Sequence, residues 1–185
     1  MLQLIPGTTI PYSDSTAEAF SYIEPLVKAA GGLGLSQVRA LTGLEGSTIQ
    51  NWVKRGWVSN PIEKKYDEAQ LARILIINAL RDCIMLEKIA RLMEYINGAT
   101  EDWADDIIRE SELFNYLCDS LKQIEDSKDY SLEKVREVVS DVTCHYRGPR
   151  QDSQRKVRTA LEIMVLACVC GHIMKTADSL LEEVI

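Results

Sequence analysis

The spacing of apolar residues predicts helices along almost the whole chain. The clearest repeat lies in 86–97, where Ile89, Met93 and Ile96 recur at three- and four-residue steps. Residues 74–80 are apolar on nearly every side, which indicates a helix buried by the rest of the fold. No alternating, strand-like pattern occurs after residue 70. The sequence therefore predicts an all-α protein in which β structure is confined to a short wing within residues 57–66.

Capping residues and helix breakers set the limits of the predicted helices. Asp14 or Ser15 begins a helix that reaches about Ala30, with Pro25 kinking it or dividing it into two short helices. Gly31, Gly32 and Gly34 then form a flexible joint. Beyond the joint the predicted caps are Ser36, Ser47, Asp67, Thr100, Ser131 and Asp152, and they open helices over 37–42, 48–55, 68–82, 101–126, 132–146 and 153–184.

The breaks divide the chain into an N-terminal arm and helix (1–34), a small domain of short helices (35–98) and a C-terminal helical bundle (99–185). The apolar run 160–174 contains Glu162 and is too short to cross a bilayer, so we expect a core or interface helix and no membrane association. The first residues lack the basic region of a signal peptide. With five cysteines, the sequence favours reduced thiols and a cytoplasmic location.

Two short helices separated by Gly43 and ended by Gly56 make up the most informative segment, 35–58. Ile49 and Trp52 lie on the apolar side of the second helix. Its remaining positions are polar, and they suit a helix that enters the major groove of DNA, where amides pair with adenine and cations reach guanine or phosphate. These candidate base-reading residues are Ser47, Thr48, Gln50, Asn51, Lys54 and Arg55.

Residues spaced along 42–92 carry a resemblance to a known family. Thr42-Gly43, Thr48-Ile49, Trp52, Lys54 and Gly56 are followed by Lys65-Tyr66 and Leu71, and then by the pattern Leu86, Ile89, Leu92. In this pattern the segment resembles the MerR family of transcription regulators, over about a third of the chain. The whole chain is similar to an uncharacterised bacterial family of MerR-like proteins with an extra helical tail.

The resemblance implies a winged helix-turn-helix domain that binds double-stranded DNA as a homodimer, with helices C-terminal to it forming the dimer. It also implies that Lys64, Lys65 and Tyr66 of the wing contact the DNA backbone, with Arg39 and Arg73 as lesser phosphate contacts. This sequence has Gln50-Asn51 where the family usually has Arg-Tyr, so phosphate contacts there are weakened or moved. The wing is also shorter than is usual in the family.

Charge is distributed unevenly along the chain. The net charge is −7, but residues 36–97 hold nine Lys or Arg against seven Asp or Glu, so this segment carries +2 and the rest −9. A basic segment in an acidic chain is compatible with nucleic acid binding by that segment. A second basic cluster comprises Arg147, Arg150, Arg155, Lys156 and Arg158; it favours a solvated helix end and leaves an anionic effector as an alternative.

Other chemistry is less well supported by the sequence. Cys168 and His172 share a helix face, but they lie in an apolar run, and no compact metal-binding loop accompanies them. No catalytic motif occurs, so we expect no enzyme activity, metal or cofactor. Two alternatives to a DNA-binding regulator remain. One is an adaptor whose acidic helical tail binds a protein; the other is a small-molecule sensor with a cavity lined by 103–121 and 160–174.

Overall fold

The computed structural model describes residues 4–11, 19–98 and 106–185, and in these ranges the protein is mostly helical. A short 3-10 helix (Ala19–Tyr22) comes first. The α-helices and strands follow in the order α1 (Glu24–Ala30), β1 (Leu33–Gly34), α2 (Leu35–Thr42), α3 (Gly46–Lys54), β2 (Lys65–Tyr66), α4 (Glu68–Leu80), α5 (Leu86–Asn97), α6 (Glu110–Ser127), α7 (Leu132–Val142) and α8 (Ser153–Glu182).

The N-terminal helix is divided into two pieces. The 3-10 helix and α1 meet at Ile23, and Pro25 lies in the first turn of α1, where its missing N–H costs nothing. This confirms the predicted alternative of two short helices. The proposed caps Asp14 and Ser15 lie outside the described residues.

The α2–α3 pair forms as predicted, but it begins with different caps. The backbone N–H of Gly34 donates to the Gln37 side chain (2.9 Å), so α2 begins at Leu35, and Ser36 is already helical. Likewise α3 begins at Gly46 after Glu45, which makes Ser47 a helical residue. The Ser36 and Ser47 caps were therefore wrong. Gly43 ends α2 in a left-handed conformation, as expected.

A two-stranded antiparallel sheet joins the N-terminal joint to the wing. Leu33 pairs with Tyr66 and Gly34 with Lys65. A side chain at Gly32 would meet the Tyr66 carbonyl at 3.0 Å, and Gly32 has a φ of 96°, so glycine is needed for this close approach. The segment predicted as a flexible joint is therefore part of the sheet.

Helix α4 runs through the centre of the fold. Asp67 and Gln70 cap its start reciprocally, each side chain bonding the other residue's backbone N–H at 2.9 Å, as the sequence predicts for Asp67. Nine of its thirteen residues have apolar side chains, and seven of these are buried. Helix α5 has the predicted limits, and a turn over 81–85 connects it to α4.

Helix α6 begins later than predicted. Residues 106–109 are not helical, because the backbone N–H groups of Ile107 and Ile108 donate to Asn97 Oδ1 instead (3.2 and 3.3 Å). The predicted cap Thr100 and residues 101–105 lie outside the described residues. Ser131 caps α7 as expected, whereas Asp152 occupies the cap position of α8 without a described side-chain hydrogen bond to the backbone.

One hydrophobic core extends through the described parts of both the winged segment and the helical bundle. Helix α6 packs on α4, α7, α8 and the 3-10 helix, where Phe20 and Phe114 meet edge to face at 6.1 Å. Helix α8 has the length and mean hydropathy (1.6) that a membrane span requires, but 44% of its most apolar window is buried inside the fold. Core helices share these features, so they are weak evidence for a membrane span.

Candidate nucleic-acid interface

Helix α3 presents one polar face to solvent. Ile49 and Trp52 are buried, which turns Gln50, Asn51 and Lys54 outward. Ser47 is exposed, and Thr48 is half-buried at the edge of this face. We call Gln50, Asn51 and Lys54 the α3 face. No described hydrogen bond joins these amides and this ammonium group to neighbouring elements. The surface can therefore contact base edges in a DNA groove.

Two arginines flank the α3 face, each beside a carboxylate. Arg55 lies 3.3 Å from Glu87 of α5, with its guanidinium 5.1 Å from the centre of the Trp57 ring. Arg39 lies 3.3 Å from Glu45. Both pairs are exposed, and exposed ion pairs contribute at most about 1 kcal/mol. A phosphate could therefore replace either carboxylate.

The N-terminal arm holds the turn between α2 and α3 in place, a role that the sequence did not reveal. Thr9 donates its backbone N–H to the Leu41 carbonyl (2.8 Å) and its hydroxyl to the Ala40 carbonyl (2.9 Å), at the end of α2. Asn78 of α4 bonds both the Gly7 and the Thr42 carbonyls, at 2.9 and 3.0 Å. Residues 7–9 thus fix the orientation of α3 against the core.

The wing ends in a tight turn with a strained backbone. Lys65 N–H donates to the Ile62 carbonyl (2.8 Å), and the two residues between them, Glu63 and Lys64, both have positive φ (51° and 62°). This is the type I′ pattern, which normally uses Asn-Gly. Left-handed Glu and Lys cost about 1 kcal/mol or more each. The turn displays Ile62, 73% exposed, beside the Lys64 ammonium group.

Because the backbone of the wing turn is strained, we predict that residues without this strain will make the protein more stable but weaken its binding to DNA. Glu63→Asn/Lys64→Gly should raise the free energy of unfolding by about 1 kcal/mol, because both residues accept positive φ. The same variant should bind DNA more weakly, since Lys64 is gone. Chemical denaturation and a binding titration measure the two effects, with Glu63→Asn alone as the control that keeps the cation. A variant that is more stable but binds as well as the parent would exclude Lys64 from the interface.

The structure corrects three of the predicted wing and phosphate contacts. Tyr66 is 3% exposed, and burial raises the pKa of its phenol. Arg73 is 5% exposed and faces the core. Lys65 is exposed, but its ammonium group donates to the Ala30 carbonyl at the end of α1 (2.5 Å). We therefore exclude Tyr66 and Arg73 from the candidate DNA contacts. Lys65 binds the end of α1 in this structure.

Arg73 forms a buried ion pair with Glu110. Its Nε donates to Glu110 Oε1 at 2.7 Å, and its guanidinium also lies 3.5 Å from the Trp57 carbonyl. The second oxygen of Glu110 has no described hydrogen-bond partner. Burial raises the pKa of Glu110 above its ordinary value, although Arg73 opposes the shift. In the sequence, Glu110 stands out as a charge that interrupts the apolar repeat of 101–126, but nothing there identifies Arg73 as its partner.

The second basic cluster is partly engaged in holding the end of α7. Arg158 donates to the Thr143 hydroxyl and the Ser140 carbonyl (2.9 and 3.3 Å), and Arg147 to the Cys144 carbonyl (2.8 Å). Lys156 lies 3.7 Å from Asp152 and over the ring of Tyr95. Cations at the C-terminal carbonyls of a helix are stabilising, which accounts for Arg147 and Arg158 without an anion.

The metal and sensor alternatives have different outcomes in the structure. Among the described residues, no group of three or more His, Cys, Asp or Glu could hold a metal ion. An open cavity of about 710 Å³ borders Leu121, Cys168 and His172, which lie in the two segments named for the sensor alternative. Another open cavity, of about 770 Å³, lies between the start of α4, residues 106–112 and residues 145–147. It borders Glu110 and Tyr146 rather than the 160–174 segment.

The residues of the candidate interface lie in a region that is similar to known proteins. Residues 26–117 match the family described as Domain of unknown function (DUF1836). This match spans α1 to α5, including the α3 face and the wing, and ends within α6. The chain is also 27% identical over 161 residues to Uncharacterized protein YkrK of Bacillus subtilis (strain 168), covering 82% of this chain and 69% of that protein. No solved structure matches the chain significantly.

Proposed function

We propose that this protein is a transcription regulator that binds double-stranded DNA sequence-specifically, as a homodimer, through a MerR-like winged helix-turn-helix. The observation that carries the proposal is the α3 face, which projects from a helix clamped to the core beside a wing turn that displays Lys64. A helix of this size fits the major groove, and a rigid mount is what base reading requires. The function needs no cofactor and no catalytic group.

Each exposed group has a role in this proposal. Gln50 and Asn51 would pair with adenine edges, and Lys54 with guanine or phosphate. Arg55, Arg39, Lys64 and the N-terminal residues Ser47 and Thr48 would contact the backbone. The MerR-type Arg-Tyr pair is replaced by the amides Gln50 and Asn51 in the middle of α3. The strained wing and the flanking arginines would therefore supply most of the phosphate contacts.

The decisive experiment is selection of bound sequences from a pool of random duplexes at two salt concentrations. The parent should enrich an inverted-repeat motif, and its affinity should fall steeply as salt rises. Gln50→Ala/Asn51→Ala should lose sequence preference by about 10-fold or more per base contact. Lys54→Ala should weaken binding on all sequences to a similar extent. Gln123→Ala/Gln151→Ala removes two exposed amides elsewhere and should change nothing. No enrichment by the folded parent at low salt would contradict DNA reading.

The dimer is proposed to form through the end of α8. Six side chains there, which we call the tail stripe, lie on one face and are exposed: Ile173, Met174, Ala177, Leu180, Leu181 and Val184. Ile173, Ala177, Leu180 and Val184 are spaced by four, three and four residues, the spacing of a two-helix seam. At roughly 100 Å² each, the stripe offers about 600 Å² per copy, close to what specific interfaces bury.

A single charge should test the tail stripe. Leu180→Asp should convert the dimer to a monomer in sedimentation velocity, because Leu180 is 59% exposed at the centre of the stripe. Ser179→Asp places the same charge on the adjacent residue, off the stripe, and should leave the dimer intact. The monomer should bind an inverted repeat only as weakly as a half-site. If the parent sediments as a monomer, the tail stripe serves another protein, and the adaptor function becomes the better proposal.

A further inference from the structure

Two thiols meet where the α4–α5 turn touches α8. Cys83 lies in that turn, beside the stretch of α8 that holds Cys170 and Gly171. Cys83 Sγ also lies 4.0 Å from Met174 Sδ, one turn further along α8. A methyl group built at Gly171 would lie 3.4 Å from Cys83 Sγ, so the α8 backbone passes close to this sulfur. The Cys83 sulfur therefore lies against the α8 backbone at the residue next to Cys170.

The other three cysteines are placed differently. Cys118 is fully buried, and burial raises the pKa of its thiol well above the ordinary value. Cys168 faces the Ala79 carbonyl, and burial raises its pKa to about 12. Cys144 is exposed near the end of α7. Of the five, Cys170 is exposed and Cys83 half-buried beside it, so this pair combines contact with access.

We infer that Cys83 and Cys170 form a reversible disulfide when the protein meets a peroxide. Two thiols lose two hydrogens and two electrons, one S–S bond forms, and the peroxide is reduced. Cys170 is the thiol that reacts first, because it is exposed, whereas burial keeps Cys83 protonated by raising its pKa.

The reaction takes two balanced steps. The Cys170 thiolate attacks hydrogen peroxide, the O–O bond breaks, and a sulfenic acid forms as hydroxide leaves and takes up the thiol proton to become water. Cys83 sulfur then attacks the sulfenic sulfur, the S–O bond breaks, and the S–S bond forms. The Cys83 proton and the departing hydroxide leave as the second water. A dithiol reductant reverses the reaction by exchange.

The bond would add a covalent link between the α4–α5 turn and α8. It closes a loop of 87 residues, from 83 to 170, and fixes the α4–α5 turn on α8. Glu87, at the start of α5, pairs with Arg55 beside the α3 face, so the link also restrains the surroundings of the recognition helix. An effect on DNA affinity rests on the proposed function, whereas disulfide formation itself does not.

Intact mass spectrometry after dilute hydrogen peroxide treatment tests the inference. The parent should lose two hydrogens, peptide mapping should join Cys83 to Cys170, and a dithiol should restore the mass. Its Tm should rise by about 5 °C or more on oxidation. Cys83→Ser and Cys170→Ser should each abolish the intramolecular link, and Cys144→Ser should leave it unchanged.

Two results would contradict the inferred disulfide between Cys83 and Cys170. One is oxygen added to Cys170 of the parent protein with no cross-link. The other is a disulfide that joins two chains through Cys170, visible as a reducible dimer on a denaturing gel. DNA affinity of the reduced and oxidised parent is measured in parallel. Failure to bind in both states contradicts the proposed function and leaves the disulfide to be judged by mass alone.

Discussion

Arg73→Met should lower the free energy of unfolding by about 3–5 kcal/mol at neutral pH, because it leaves the Glu110 carboxylate buried without its counter-charge. Methionine matches the arginine stem in length, so little packing is lost. Both side chains are only 6% exposed, so solvent compensates poorly for a lost partner. Chemical denaturation followed by circular dichroism measures the effect. Arg73→Met/Glu110→Leu removes both charges and should recover most of the loss.

The loss in Arg73→Met should also depend on pH. The folded-state pKa of Glu110 lies above its ordinary value, so the folded protein holds this proton more tightly than the unfolded chain. The contribution of Glu110 to stability is therefore greatest below the ordinary carboxyl range and is lost as pH rises through its folded-state pKa. Without Arg73 that pKa rises further, so the variant should regain stability relative to the parent between pH 7.5 and pH 5. An equal deficit at both values would indicate lost packing instead.

Gly7→Ala should lower the free energy of unfolding by about 3 kcal/mol or more. A Cβ at Gly7 would lie 2.2 Å from the Leu75 carbonyl oxygen, an overlap that the buried α4 backbone cannot relieve. Its φ of 71° adds the cost of a left-handed alanine. The expected result is a lower midpoint of denaturation together with faster proteolysis of the N-terminal arm, since residues 7–9 would leave the α2–α3 turn.

Gly56→Ala supplies the matched control. Gly56 has nearly the same φ, 73°, but no described atom lies within 4 Å of a Cβ built there. Gly56→Ala should lower the free energy of unfolding by about 1 kcal/mol, because it introduces backbone strain but no steric overlap. The difference between the two variants isolates the steric contact with α4. Equal losses would mean that the arm does not pack on Leu75 in solution.

Local signals predicted much of the fold. Asp67 and Gln70 lie three residues apart at the start of α4, and each satisfies the other's backbone N–H, so the sequence alone locates this helix start. The start of α6 could not be found in this way. It depends on Asn97, ten residues before Ile107, and propensity carries no information on such a contact.

In the candidate site, too, local spacing predicted some features, whereas others depend on residues that are distant in the sequence. The spacing of Ile49 and Trp52 correctly predicted which side of α3 is exposed. Arg73 was placed outside because it is charged, yet it belongs to a helix whose pattern is apolar all round. Its partner Glu110 lies 37 residues away, so only the folded chain shows that the two charges meet. The role of Gly7 depends equally on a distant carbonyl.

The region of family similarity and the unit that can fold have different limits. The match ends at residue 117, inside α6, whereas the apolar contacts of that helix continue through Leu121 and Ile124. Helix α8, wholly beyond the match, covers α4. A chain cut at the limit of the match would expose the central helix and should aggregate. In this protein we expect the segment that carries the proposed DNA contacts to depend on the helices beyond the matched region for solubility.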